Sequence, residues 1–217
     1  MFKDRKDAAE QLALALKKYK DKGVLVLGIP RGGAETAYYV ASYLHAEFSL
    51  VIARKLGYPW SPETAMGALA EDGSLYISDM ASGRIDDIEA AKSSESLEIA
   101  RRVQKYRGGK ELPSMRGRTV ILVDDGIATG ATLFAAIQLC KNKGAAKIVV
   151  AAPISGQLME RHLKQMVDEV VILETPAYYQ AVSQGYADFA NLTDEETIAI
   201  MRKWEKEKRE VVQKASS

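Results

Sequence analysis

Apolar positions recur along this chain in blocks, and the blocks alternate between helical spacing and short continuous runs. Over residues 4–19, Ala8, Leu12, Ala15, Leu16 and Tyr19 share one helical face, and Gly23 stops the pattern. The next apolar run, residues 24–27, reads as a strand, followed by a glycine-rich turn and a helix over residues 34–44. The same unit returns at residues 120–123, with a helix from residue 133 closed by Gly144. It returns again at residues 147–152, which end at Pro153 and lead to a helix over residues 158–166. Residues 48–53 and 170–173 supply two more apolar strands. Runs without polar alternation indicate strands covered on both faces. The fold expected is therefore α/β, a Rossmann-like core of parallel strands with helices on both faces.

Four stretches fall outside this alternation. Gly57-Tyr58-Pro59-Trp60-Ser61-Pro62-Glu63 has two prolines and no period, which predicts a loop. Residues 66–70 and 74–78 predict a hairpin turning at Glu71-Asp72-Gly73. Residues 83–107 predict a long charged helix with a partial apolar face of Ile85, Ile88, Leu97, Ile99 and Val103, ended by Gly108-Gly109. Residues 175–191 crowd Pro176, Tyr178, Tyr179, Tyr186 and Phe189 into an aperiodic segment that either staples the chain to the core or covers a flat ligand. A capping box, Thr193 to Glu196, then opens a last helix running to about residue 208. The expectation is one domain over residues 1–217, with a core at about 22–174, an insertion at about 55–115 and a C-terminal appendage from 175.

Composition narrows the partners. The 217 residues carry 30 Lys and Arg against 29 Asp and Glu, so a net charge of +1 supplies no global pull toward nucleic acid or an anionic membrane. Any anion site must be local. The single cysteine, Cys140, lies in an apolar helical pattern and reads as core. The opening MFKDRKDAAEQ is too charged for a leader, and no apolar run is long enough to span a bilayer; the cytoplasm is the compartment expected.

The candidate chemistry sits where the strand at residues 120–123 ends. Asp124 and Asp125 are followed by Gly126, Ile127, Ala128, Thr129, Gly130, Ala131 and Thr132, then a helix. Ligands of open α/β sheets bind at the carboxyl ends of strands. A helix start offers unpaired N–H groups to a phosphate, and the small residues let it approach. Two carboxylates cannot hold that phosphate, but they can accept from neighbouring sugar hydroxyls or help hold a metal. Hydroxyls beside a phosphate describe a ribose 5-phosphate. A second glycine-rich turn, Gly28-Ile29-Pro30-Arg31-Gly32-Gly33, has neither dinucleotide-binding nor P-loop spacing. A forked cation between exposed amides suits a polyanion. Arg54 and Lys55 end another predicted strand, as a second anion contact or as a solvated basic edge.

The run VILVDDGIATGAT resembles the signature of the type I phosphoribosyltransferases, and GIPRGG resembles their pyrophosphate loop. The resemblance is strongest at residues 120–132 and weak in the lid and hood. It implies that Gly126 to Thr132 bind the 5-phosphate of phosphoribosyl pyrophosphate (PRPP) and that Asp124 and Asp125 bind the ribose hydroxyls. Pro30, Arg31, Gly32, Gly33, Arg54 and Lys55 would meet the pyrophosphate, with a cis peptide at Pro30–Arg31. Asp124, Asp125, Arg31 and Lys55 would then form the catalytic set. It further implies magnesium held mainly through PRPP, with Asp124 and Asp125 as possible ligands. Residues 57–63 take the place of a flexible lid loop, residues 175–191 that of part of a small hood, and Glu71 that of a lid acid/base. The reaction implied moves the phosphoribosyl group to a nitrogen acceptor, a nucleobase, in a salvage-like step of nucleotide metabolism, within a homodimer. Ala128 stands where 6-oxopurine enzymes carry an acid, which argues against hypoxanthine or guanine. The alternative is a PRPP- or nucleotide-binding regulator without catalysis, although no helix-turn-helix or other output element is visible. A hydrolase with Asp124 as nucleophile would need acid–base partners that the sequence does not display.

Overall fold

The structure, a computed structural model, describes residues 1–215. Its centre is a five-stranded, all-parallel sheet. The strands are β1 (Leu25–Gly28), β2 (Glu47–Leu50), β6 (Thr119–Val123), β7 (Lys147–Ile154) and β8 (Glu169–Glu174), in the order β2-β1-β6-β7-β8. β1 and the four apolar residues of β6 are fully buried, as the unbroken apolar runs require. Helices α1 (Arg5–Ala15) and α2 (Gly32–Leu44) pack on one face, while α4 (Ala131–Asn142) covers the other with α5 (Gln157–Leu163) nearby. Leu12, Leu16, Leu44, Leu50 and Ile121 fill the first layer; Leu27, Leu122, Phe134, Leu139 and Val150 fill the second.

A second sheet of three antiparallel strands, β3 (Ala53–Tyr58), β4 (Ser61–Ala70) and β5 (Leu75–Ile77), packs against α4. This corrects two expectations. The apolar run at residues 48–53 is not one strand. β2 ends at Leu50, the Val51 amide donates back to the Gly28 carbonyl, and the Ile52 amide donates to the Glu71 carboxylate, after which β3 belongs to the other sheet. The whole stretch stays buried, so hydrophobicity alone did not mark the break.

The proline-rich stretch at residues 57–63 is not an open loop either. Tyr58 pairs with Ser61 across a two-residue turn at Pro59-Trp60, and a register shift then carries residues 62–64 past the ladder. Pro62 falls inside that bulge, where a missing N–H costs no ladder bond.

Helix α3 (Ile85–Arg107) is as long as its charge pattern predicted, and Gly108 ends it in the left-handed region. Its apolar face is narrower than expected: Ile88 and Ile99 are buried, but Ile85 and Leu97 are exposed. Helix α6 (Asp194–Ala215) begins at the expected capping box, with Thr193 and Glu196 exchanging bonds, and continues past the predicted end at residue 208. No described helix is long and apolar enough to cross a membrane.

Candidate active site

The two glycine-rich turns lie side by side because the strands that carry them are neighbours. β1 and β6 pair in parallel from Leu25↔Val120 to Gly28↔Val123, so both chains leave the sheet at the same end. Ile29 donates to the Val123 carbonyl at 3.0 Å, extending the pairing into the turns. The Pro30–Arg31 peptide is cis, as the resemblance implied.

Contact between the turns is close enough to require glycine. A Cβ on Gly32 would stand 1.8 Å from Oδ2 of Asp125, and one on Gly33 would stand 2.8 Å from Oδ1 of Asp124. The two carboxylates are thus packed against the Gly32-Gly33 backbone.

Beyond them the chain forms an open cradle. Gly130, at φ +71°, turns the chain into α4 without a side-chain cap. No protein acceptor takes the N–H of Ala128, Thr129, Gly130, Ala131 or Thr132 among the described residues. Ala128 and Thr129 are exposed, while Ile127 is buried and ties the turn to β7 through its amide and the Ile154 carbonyl. α2 likewise begins at Gly32 without a side-chain cap, so two helix starts point their amides toward one region.

The electrostatics of the acidic pair are uneven. Burial, and then the charge of Asp125, push the Asp124 carboxyl well above the usual carboxylate range. Oδ1 of Asp124 accepts from the Asp125 amide at 2.9 Å. Asp125 instead accepts from a cation that sequence reasoning did not single out. Nε of Arg5, on α1, donates to Oδ2 of Asp125 at 2.8 Å, and both residues are buried. A signal for Arg5 was present: it lies three, four and seven residues before Ala8, Ala9 and Leu12, a cation on the apolar stripe of its helix.

The aromatic segment closes this region from above. Phe2 pairs with Tyr186 in a single parallel bridge, and the amides of Ala187 and Asp188 donate to the Phe2 and Lys3 carbonyls. The Tyr186 hydroxyl donates to the Asp125 carbonyl, and Phe189 lies 4.1 Å beneath the Arg5 guanidinium. The segment thus staples the N-terminus to the core and stands next to the acidic pair. Burial and the charges of Asp125 and Asp124 raise the Tyr179 phenol, whose buried hydroxyl has no partner.

Three expected contacts are engaged elsewhere. Arg31 reaches Asp194 at 3.6 Å, in a cluster where that carboxylate also takes Lys105 at 2.8 Å and the Tyr106 hydroxyl. Arg54 pairs with Glu95 of α3 at 2.6 Å, and Lys55 pairs with Glu63 of β4 at 3.0 Å. Glu71, given the place of a lid acid/base by the resemblance, is half-buried at its turn. Both its oxygens are held by the buried Arg107 guanidinium, and one also accepts from the Ile52 amide. Cys140 is buried core, its thiol pushed up to about 12 by burial.

Residues 1–183 match the family described as phosphoribosyl transferase domain. The chain belongs to that family. A Mycobacterium tuberculosis protein named as a phosphoribosyl transferase is 40% identical over 205 residues, covering 93% of this chain and 46% of its own length. The chain therefore spans about half the length of the curated relatives it matches. A crystal structure of a Thermus thermophilus protein superposes with a TM-score of 0.81 at 36% identity, over 94% of this chain and 98% of that one. The five-stranded parallel sheet flanked by helices is the type I phosphoribosyltransferase fold.

Proposed function

We propose that the chain transfers the 5-phosphoribosyl group of PRPP to a nitrogen acceptor, a nucleobase, and releases pyrophosphate. The observation that carries this reading is the packing of Asp124 and Asp125 directly against Gly33 and Gly32. It brings the two carboxylates, the open amides of residues 128–132 and the turn at Gly32-Gly33 to one end of the sheet. The cradle at residues 128–132 takes the 5-phosphate, the carboxylates take the two ribose hydroxyls, and the turn at Pro30, Arg31, Gly32 and Gly33 takes the pyrophosphate.

The bond from C1 to the pyrophosphate oxygen breaks and the bond from C1 to the acceptor nitrogen forms, through a transition state with cationic character at the sugar. The protein's contribution is to hold the two ends of PRPP and to meet the charge that develops on the leaving group. Among the described residues no cluster of three or more His, Cys, Asp or Glu could cage a metal. Magnesium would then be carried mainly by PRPP oxygens, with Asp124 and Asp125 as the carboxylates that could help hold it. The ion would neutralise charge on the pyrophosphate.

Engagement of the pyrophosphate by Arg31 and Lys55 requires both to leave Asp194 and Glu63. That observation also supports the second reading, a PRPP-binding regulator in which those pairs never open. The experiment is PRPP-dependent pyrophosphate release across a panel of purines, pyrimidines and simple amines. Release with one acceptor class supports transfer. PRPP binding with no release for any acceptor supports the regulator, and no PRPP binding overturns both.

A further inference from the structure

The two acids of the site are anchored by different means. Asp124 commits Oδ1 to the amide of Asp125, and Asp125 commits Oδ2 to the Nε of Arg5. Apart from the interaction of the two carboxyls with each other, no other side chain or amide among the described residues bonds the remaining oxygens of Asp124 and Asp125. The pair thus keeps oxygens not committed to the rest of the protein, and a ribose presents two neighbouring hydroxyls.

We propose that Arg5 is the positioning residue of the ribose site, fixing the rotamer of Asp125 so that it meets one sugar hydroxyl while Asp124 meets the other. The inference rests on the phosphoribosyl reading above. Its geometry stands on Arg5 being held from four directions. Nη1 donates to the Ala190 carbonyl at 2.6 Å, Phe189 supports the guanidinium face, Ala8 and Leu12 bury its helix, and Asp125 takes Nε. A side chain so constrained cannot swing toward a ligand. It acts on a sugar through the acidic pair, and its one direct bond there is to Asp125.

The surroundings agree with a device for charge. Asp125 lies beside Asp124 and against the Gly32 backbone, so two like charges crowd one place and call for a counter-charge. Arg5 supplies that counter-charge, and its field also favours the ionised form of Asp124 and of Glu35 on α2. The other titratable groups facing this cluster are the Tyr179 and Tyr186 phenols, both raised by burial and neutral at physiological pH. Glu196 also feels the Arg5 charge directly, and Asp4 and Glu196 both act on Glu35.

The test compares ligands that use the ribose site with one that does not. Magnesium–PRPP, ribose 5-phosphate and magnesium–pyrophosphate are titrated calorimetrically into the full chain and into Arg5→Met and Arg5→Lys, at a temperature where melting curves show each variant folded. Loss of one charge-assisted bond at a binding carboxylate predicts Kd values for PRPP and ribose 5-phosphate weaker by about tenfold in Arg5→Met. Pyrophosphate affinity is expected to stay within about twofold, because the hydrogen bonds of Arg5 go to Asp125 and Ala190 and not to that turn. Arg5→Lys keeps the charge and is expected to fall between the two; it serves where Arg5→Met does not fold. Unchanged PRPP affinity in the variants would overturn the proposal. So would an equal loss of ribose 5-phosphate and pyrophosphate, the mark of a purely structural role. Failure of the unmodified chain to bind PRPP would instead overturn the phosphoribosyl reading itself, and the role of Arg5 with it.

Discussion

At the scale of single residues, the two aspartates that look equivalent in the sequence differ in what they do to the stability of the fold. Burial and the neighbouring charge raise the Asp124 carboxyl in the folded chain. The folded chain therefore keeps a proton that the unfolded chain releases above about pH 4. Stability falls as pH rises from there through the folded value. Asp124→Asn cannot ionise, so its melting temperature is expected to exceed that of the unmodified chain at about pH 7–8 and to match it near pH 3. Its kcat/KM is expected to drop by about a hundredfold or more, since the ribose loses an orienting contact. Asp125→Asn carries the opposite stability effect. It strands the buried Arg5 guanidinium, at a cost of about 3–5 kcal/mol, so loss of activity there is confounded with loss of fold. The signature VILVDDGIATGAT made both acids legible as a candidate site. It could not show their asymmetry, because the partner that creates it lies 120 residues away in an otherwise ordinary charged helix.

Elements set where these residues meet, and here sequence and structure part in instructive places. Strand–turn–helix units were legible because a buried parallel strand and an amphipathic helix have distinct periods. The hairpin at residues 53–70 was not, because Gly57, Pro59 and Pro62 read as loop residues while a bulge in β4 absorbs the prolines. Glu71 was placed at the right turn and given the wrong environment. Nothing local announced that Arg107, at the far end of α3, would hold both of its oxygens. Glu71→Gln is accordingly expected to destabilise the chain by about 3–5 kcal/mol in denaturant titration while leaving kcat near its original value below the melting transition. A lid acid/base would show the reverse. At the start of α4, a Cβ on Gly130 would lie 2.9 Å from Cζ of Phe134 and 3.0 Å from Sδ of Met159, at a backbone angle of +71°. Gly130→Ala is expected to cost about 1–2 kcal/mol in conformation alone and to displace the amide cradle. Its PRPP affinity should fall by more than about tenfold, measured by calorimetry.

On the scale of the whole molecule, the site is a meeting point of segments distant in sequence. α1, the turns after β1 and β6, and the aromatic strap at residues 182–190 all converge on Asp125. A ligand that bridges these segments should stabilise the entire fold by mass action. At a hundredfold excess over Kd the gain is about 2.7 kcal/mol, which for a chain of this size corresponds to a rise in melting temperature of roughly 5–10 °C. Ribose lacking its phosphate should give a much smaller shift. The most direct test of the account is a crystal structure of the full chain soaked with PRPP and magnesium. The account predicts the 5-phosphate against the amides of residues 128–132, the ribose hydroxyls on Asp124 and Asp125, and the pyrophosphate against Gly32 and Gly33. Ordered PRPP bound in any other place, or with its two phosphate ends reversed, would contradict it.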